Sequence, residues 1–583
     1  LKDYMIKIFK QITQLFNKDQ KKSVIILLFL MLIASTLEFL SIGLIIPIVS
    51  VITGGEIIND YFNIAFVNDL MEKYPSDTIL IILFVIFLSI FIVKFLFSVF
   101  FIYKKSYFIF SIRNNFSKRI FRSYLTRPFD FHQKNNTSKL AINCKYELDI
   151  FTSNIISPAM ELLIDSTVAF SLFLLLFILE PNLTLVAVIF FISVIYSYQL
   201  ILKKKTLIWG KERRHFDIQI NKVLKEGLGS IKEIILNFKQ NFFIQKLNHY
   251  LYRNLIVSVR GQLTTDIPRH FLEILAIFSF IMIFYFLKVI GYETSKILTL
   301  VSVFAAVSFK LLPAFNRMMS NIQRIRYGQP VITLLYDELN RNSNLENSIN
   351  HFHDEKLNLH LKDSIVIKDL NFTYGSDSNT IFEKANLTIN KGEFIGISGS
   401  SGAGKSTFLN LVSGLSQNYS GLITVNGEDI SKFRNNWSRR VAYISQAPFF
   451  LDDSIKNNIA FAEEEKKIDI NKIYECLKLS QLDKFINDLD DRIDTHIGED
   501  GTRMSGGQLQ RLAIARALYQ DFDLIILDES LNALDNENEK KIVSVLDSLK
   551  VNKTIILISH NLKTLDYCDK KYKIVEKNFI EYK

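Results

Sequence analysis

The chain has 583 residues, a hydrophobic fraction of 49%, a mean hydropathy of +0.18 and a formal net charge of +10. That apolarity is high for a soluble protein of this length, and three scattered cysteines (Cys144, Cys476, Cys568) exclude a disulfide scaffold and a cysteine metal site. Nucleic acid would be one explanation of the positive charge, but the excess sits mostly in the loops of an apolar N-terminal half, which points to membrane lipid and to no nucleic acid.

Residues 4–16 alternate apolar and basic positions at helical spacing, which predicts an amphipathic helix on the membrane surface rather than a cleavable signal sequence. Six apolar stretches follow, at 24–52, 79–110, 156–179, 183–202, 271–290 and 297–319. Each matches the length of about 20 residues that a helix needs to cross a bilayer. The loop 53–78 holds one basic and five acidic residues, whereas 104–155 holds ten basic and three acidic, and 203–267 thirteen and five. Because Lys and Arg favour the cytoplasmic side, both ends and the two long basic segments are expected in the cytoplasm. Those segments mix apolar and charged residues at helical periods with little Pro or Gly, so they extend the membrane helices inward. They would reverse near Arg127-Pro128-Phe129 and at 226–230.

Charges at membrane depth are costly and face a partner or a wet cavity. Glu38 and Lys94 sit in the first two spans, Arg269 at the start of the fifth, and Lys310 and Arg317 in the sixth. One reading is a structural Glu38–Lys94 pair with the other cations at helix ends. The sharper one is a cavity in which Lys94, Arg269, Lys310 and Arg317 hold an anionic head group such as a pyrophosphate.

The membrane part is placed at 1–339, a polar, asparagine-rich linker at 340–360, and a soluble α/β domain at 361–583. Its decisive segment is Gly399-Ser400-Ser401-Gly402-Ala403-Gly404-Lys405-Ser406, with Thr407 opening the next helix. This is the phosphate-binding loop G-x-x-x-x-G-K-[ST] between a strand and a helix. Its glycines let backbone N–H groups wrap a phosphate, Lys405 reaches the β/γ-phosphates of ATP, and Ser406 offers a hydroxyl to Mg²⁺. Downstream, the apolar strand Leu524-Ile525-Ile526-Leu527 ends in Asp528 and Glu529. Asp528 would hold Mg²⁺ through water, and Glu529 would polarise the attacking water.

Between them lies Met504-Ser505-Gly506-Gly507-Gln508, which resembles the signature of the ABC-transporter ATPases, with Met in place of the usual Leu. The resemblance covers nearly all of 360–583. It implies that Tyr374 stacks on adenine, that Gln446 contacts Mg²⁺ and senses the γ-phosphate, that Asp535 closes the D-loop, and that His560 is a switch histidine, catalytic like Glu529. It also implies that Ser505, Gly506, Gly507 and Gln508 complete the ATP site of a second chain. A homodimer is the default and pairing with a different half-transporter the alternative. The whole chain therefore resembles an ABC exporter half-transporter: a six-helix transmembrane domain followed by an α/β P-loop NTPase domain.

The first span (Thr36-Leu37-Glu38-Phe39 onward) and the sixth-span stretch from Lys310 to Arg317 are similar to the PglK-type flippases. That similarity implies a lipid-linked anionic substrate, a polyprenyl-pyrophosphate-linked oligosaccharide, moved outward across a bacterial inner membrane. Export of lipid A, drugs or peptides is the alternative. Two other classes are open to test. A soluble DNA-repair ATPase conflicts with the six spans, and an ATP-gated channel without turnover conflicts with Glu529.

Overall fold

A computed structural model describes residues 14–44, 48, 75–179, 181–290, 294–340, 359–373, 380–532 and 534–582. The chain divides into two compact units, Leu1–Thr126 with Asn135–Glu346, and Arg127–Lys134 with Asn347–Lys583.

The first unit is helical. It contains α1 (Lys18–Gly43) and α2 (Ser76–Leu125), followed beyond the short α3 (Phe129–Lys134) by α4 (Thr137–Cys144) and α5 (Tyr146–Phe151). A π-helical turn, Thr152–Ile156, leads into α6 (Ser157–Leu179); then come α7 (Pro181–Gly229), α8 (Ile231–Leu236), α9 (Gln240–Ile290) and α10 (Thr294–Asn340). With 50 residues, α2 runs about 75 Å at 1.5 Å per residue, well beyond a hydrocarbon core of about 30 Å. It ends at Leu125 because Pro128 lacks an N–H and bars Arg127 from the helical region. Pro181 opens α7, where a missing N–H costs nothing.

Among the described residues, Lys18–Ser41, Asp77–Leu125 and Thr137–Ile178 are long and apolar enough to cross a membrane. The other three expected spans fall on α7, α9 and α10, parts of which lie outside the described side chains, as does the expected surface helix at 4–16. The first expected reversal carries the short helix α3, whereas the second lies later than 226–230: α7 runs to Gly229, and the short helix α8 precedes α9. Much of α2 leaves large apolar side chains outward, among them Leu88, Ile92, Phe95 and Leu96. Such a continuous apolar surface suits lipid, not water. Inward, Leu172 and Leu176 of α6 pack with Leu272 of α9 and Leu311, Phe315 and Met319 of α10.

The long helices cross closely where side chains are smallest. A Cβ on Gly210 of α7 would lie 2.2 Å from the Tyr327 carbonyl oxygen of α10, and one on Gly261 of α9 would lie 3.2 Å from the Tyr327 ring.

The second unit carries two sheets. Strands β1 (Ser364–Thr373), β2 (Thr380–Asn390), β4 (Ser420–Val425) and β5 (Glu428–Asp429) form an antiparallel sheet in the order β2-β1-β4-β5. The other sheet has the order β10-β9-β3-β8-β7-β6, from β3 (Phe394–Gly399), β6 (Val441–Ile444), β7 (Leu524–Asp528), β8 (Thr554–Ile558), β9 (Lys570–Val575) and β10 (Asn578–Tyr582). Its pairs from β9 through β6 are parallel. Central β7 and β8 are apolar on both faces because each face is covered. Within this unit α3 is held by Asp130, whose carboxylate accepts from Ser416 Oγ at 2.8 Å and Asn418 Nδ2 at 3.3 Å.

Gly210→Ala should therefore force α7 from α10, an overpacking cost of about 1–3 kcal/mol or more, and lower the apparent melting temperature of the purified protein. Gly229→Ala, whose Cβ would meet nothing within 4 Å, should leave it unchanged or raised.

Candidate active site and membrane cavity

Strands β3, β6, β7 and β8 are parallel neighbours or near neighbours in one sheet, so their C-terminal ends open onto one edge. The phosphate-binding loop follows β3, Gln446 follows β6, Asp528 and Glu529 end β7, and His560 follows β8. This is the edge at which open α/β sheets place ligands.

Gly402 and Gly404 hold φ of +81° and +101°. At Gly404 a Cβ would lie 2.4 Å from Ile381 Cγ2, so only glycine fits. Lys405 begins α11 (Lys405–Val412) and is buried. Its Nζ donates to the Gly399 carbonyl oxygen at 2.9 Å and lies 3.1 Å from His560 Nε2 and 3.9 Å from Glu529 Oε1. Glu529 Oε1 is 2.9 Å from His560 Nε2, and its Oε2 accepts from Gln446 Nε2 at 3.2 Å. Glu529 itself adopts φ +52°, a strained conformation for a side-chain-bearing residue of the kind that collects at functional sites. Three of the residues singled out in the sequence, Lys405, Gln446 and His560, thus meet around the carboxylate of a fourth, Glu529.

Asp528 lies beside them, accepting from Tyr443 Oη at 2.9 Å and bonded to the Ser406 side chain. Burial pushes its carboxyl above the usual range, while the Tyr443 donor holds it down. A hydroxyl and a carboxylate side by side are the hard oxygen donors that Mg²⁺ takes. Among the described residues no group of three or more His, Cys, Asp or Glu could hold a metal. An ion here would complete its shell from phosphate oxygens and water, which fits a nucleotide-bound Mg²⁺. Ser400, Ser401 and Ser406 are exposed along the loop, and Thr407 is buried behind it; Tyr374 lies outside the described residues.

The signature forms the start of α12 (Gly506–Tyr519). Ser505 Oγ accepts from Gln508 N at 3.3 Å and Gln508 Oε1 from Ser505 N at 2.8 Å, a reciprocal cap. A Cβ at Gly506 would meet nothing within 4 Å, so the first turn is open at that position. Asp535 caps the helix Asn536–Leu549, accepting from Asn538 N at 3.3 Å.

In the first unit a cavity of about 870 Å³ is lined by Glu38, Lys94, Asp165, Arg269, Glu273, Asn316 and Arg317. Lys94, Arg269 and Arg317 do converge on it, but none is a bare cation. Lys94 Nζ is 2.5 Å from Glu38 Oε2, and Arg269 Nε is 3.0 Å from Glu273 Oε1. Arg317 grips Asp165 through Nε at 2.9 Å and Nη2 at 2.7 Å. The Glu38–Lys94 pair of the first reading is present, and Arg269 and Arg317 are paired as well, so the cavity wall is charge-balanced. Lys310 lies on α10, with its side chain outside the described residues.

Residues 42–311 match the ABC transporter transmembrane region, and residues 382–532 match the ABC transporter family. The chain is an ABC exporter half-transporter. It hydrolyses ATP and couples that hydrolysis to transport. Its curated relatives include the ATP-dependent lipid A-core flippase of Wigglesworthia glossinidia brevipalpis, 27% identical over 80% of this chain and 79% of the relative. That of Saccharophagus degradans is 28% identical over 79% and 76%. The protein of that name from Vibrio parahaemolyticus is 40% identical over 36% of each chain. The fold matches a structure of a bacterial Atm1-family ABC exporter with ATP bound, with TM-score 0.79, 16% identity and coverage of 97% and 95%.

Two residues of the exporter escaped the sequence reading. Asp165 carried a usable signal, a carboxylate inside an apolar stretch. Tyr443 carried none, since nothing in Val441-Ala442-Tyr443-Ile444 announces a partner 85 positions away.

Tyr443→Phe removes the donor that lowers the Asp528 pKa, so that carboxyl should protonate at higher pH. If ionised Asp528 is required, the acid limb of the ATPase pH profile should move upward, with the alkaline limb unchanged.

Proposed function

We propose that the exporter acts as a dimer that flips an anionic, phosphorylated glycolipid of the lipid A class from the inner to the outer leaflet of a bacterial inner membrane. In this reading the ATPase units are cytoplasmic. The observation that carries it is the charged cavity lined by helices whose outer faces are apolar: a sugar-phosphate head finds polar walls while its acyl chains remain in lipid. Relatives spanning four-fifths of the chain are lipid A-core flippases, which favours this substrate over the polyprenyl-pyrophosphate oligosaccharide that the sixth span suggested.

At the nucleotide site, ATP would draw Lys405 from the Gly399 carbonyl and His560 to its β/γ-phosphates. Glu529, released from Gln446 and His560, then orients the attacking water and accepts its proton, while His560 stabilises charge growing on the γ-phosphate. Ser406, Asp528 and Gln446 would hold Mg²⁺, which neutralises charge on the phosphates. The turn at Ser505–Gln508 meets the phosphates bound by a second chain, since one chain has one loop and one signature. The second inner reversal supports a partner, because Leu236 and Phe238 stand 68% and 86% exposed outside the apolar membrane stretches. ATP binds the closed pair preferentially, so hydrolysis returns the membrane helices to the other facing.

Glu529→Gln should cut ATP hydrolysis by about 100-fold or more, as loss of a general base does, with ATP affinity retained. Equal turnover in the variant would refute the assignment. For the substrate, Arg317→Ala alone leaves the buried Asp165 carboxylate without its guanidinium partner, so the paired change Asp165→Asn with Arg317→Gln is the cleaner probe. In liposomes it should abolish lipid A movement while leaving basal ATPase intact. Movement of polyprenyl-pyrophosphate saccharides without lipid A would reverse the substrate choice.

A further inference from the structure

A second, smaller cavity of about 290 Å³ lies between α7 and α10. Its floor is one stripe of α7, Ile192, Ile195, Tyr196, Gln199, Leu200 and Lys203, at the spacing that keeps side chains on a single helix face. The stripe is apolar at its membrane end, where Ile192, Tyr196 and Leu200 are 61%, 60% and 54% exposed. It turns cationic at its cytoplasmic end, where Lys203 is joined by Arg326 of α10. From Ile192 to Lys203 it runs about 16 Å at 1.5 Å per residue, half of a hydrocarbon core of about 30 Å. That is one leaflet.

The cations here differ from those of the larger cavity. Among the described residues neither Lys203 nor Arg326 has a carboxylate partner; Arg326 Nη1 donates to the Gln199 carbonyl oxygen at 3.3 Å, and Lys203 Nζ has no partner. Gln199 is 8% exposed, and its Nε2, buried, has no hydrogen-bond partner among the described residues, although its Oε1 accepts from Gln323 Nε2 at 3.1 Å. Two unneutralised cations and an unused amide donor at the end of an apolar groove are complementary to a phosphodiester bearing an acyl chain.

We propose that this groove binds one anionic phospholipid of the cytoplasmic leaflet, its phosphate on Lys203 and Arg326 and its acyl chain along Ile192–Leu200. The site is separate from the cavity assigned to the transported lipid and rests only on the membrane reading. A bound lipid would bridge α7 and α10, the pair that crosses tightly at Gly210, and so brace the exporter without being carried.

The full-length exporter in nanodiscs, titrated with phosphatidylglycerol or phosphatidylcholine and read by native mass spectrometry and thermal unfolding, tests this. Phosphatidylglycerol should fill one saturable site per chain and raise the unfolding temperature, and phosphatidylcholine should not. Lys203→Gln with Arg326→Gln should weaken that binding at least tenfold, whereas Lys204→Gln with Lys205→Gln, on exposed neighbours, should not. Arg326→Lys keeps the charge and should retain binding, which separates charge loss from misfolding. Equal binding of both lipids overturns the proposal, as does an equal loss on removing Lys204 and Lys205, which would indicate diffuse surface attraction. Displacement of phosphatidylglycerol by stoichiometric lipid A would assign the groove to the transported lipid instead, and also overturns it.

Discussion

A charge taken out of water has to be met by an opposite charge or by several strong donors, and both halves of this exporter are arranged around that requirement. In the ATPase unit Lys405, His560 and Gln446 gather on Glu529. In the membrane unit Lys94 gathers on Glu38 and Arg317 on Asp165. In each case a cationic or donor group that would serve a phosphate is held by a resident carboxylate of this chain. The carboxylate positions the group and sets a threshold: a ligand must offer a better set of contacts than the pair it separates. A bidentate guanidinium–carboxylate fork has the geometry of a guanidinium–phosphate one, so a phosphate is the ligand best able to exchange with it.

The same requirement explains why the two units differ so much in architecture. The sheet unit buries apolar strands on both faces and exports its polar groups to the ends, where backbone N–H groups and side chains face water and nucleotide together. The helical unit cannot do this. Backbone groups in lipid must be satisfied within a helix, so its polar chemistry comes from single side chains turned inward, and close contact between helices falls to glycines such as Gly210 and Gly261. Within the sheet unit, Asp130 of α3 is tied to Ser416 and Asn418.

Local chemistry was readable in the one-dimensional string. The Gly399–Ser406 loop, the apolar strand leading to Asp528 and Glu529, and the long apolar stretches are each defined by residues adjacent in the chain. Their physics depends on neighbours a few positions away: a glycine allows a turn, an alternation buries a face, twenty apolar residues cross a bilayer. The first reversal was readable for the same reason, since Pro128 acts on the residue before it; the second, with no proline, lies beyond the expected 226–230.

What only the tertiary structure decided is which distant groups became partners. Asp165 and Arg317 stand 152 positions apart, Tyr443 and Asp528 85, and Lys405 and His560 155. No local pattern encodes such pairs, because they are fixed by which helices pack and which strands become neighbours. The sequence therefore determined the chemical kinds present, a nucleotide site and charged membrane helices. Folding decided that the membrane cations are neutralised in one cavity and left open in another, since charge balance depends on distance in space and not on position along the chain.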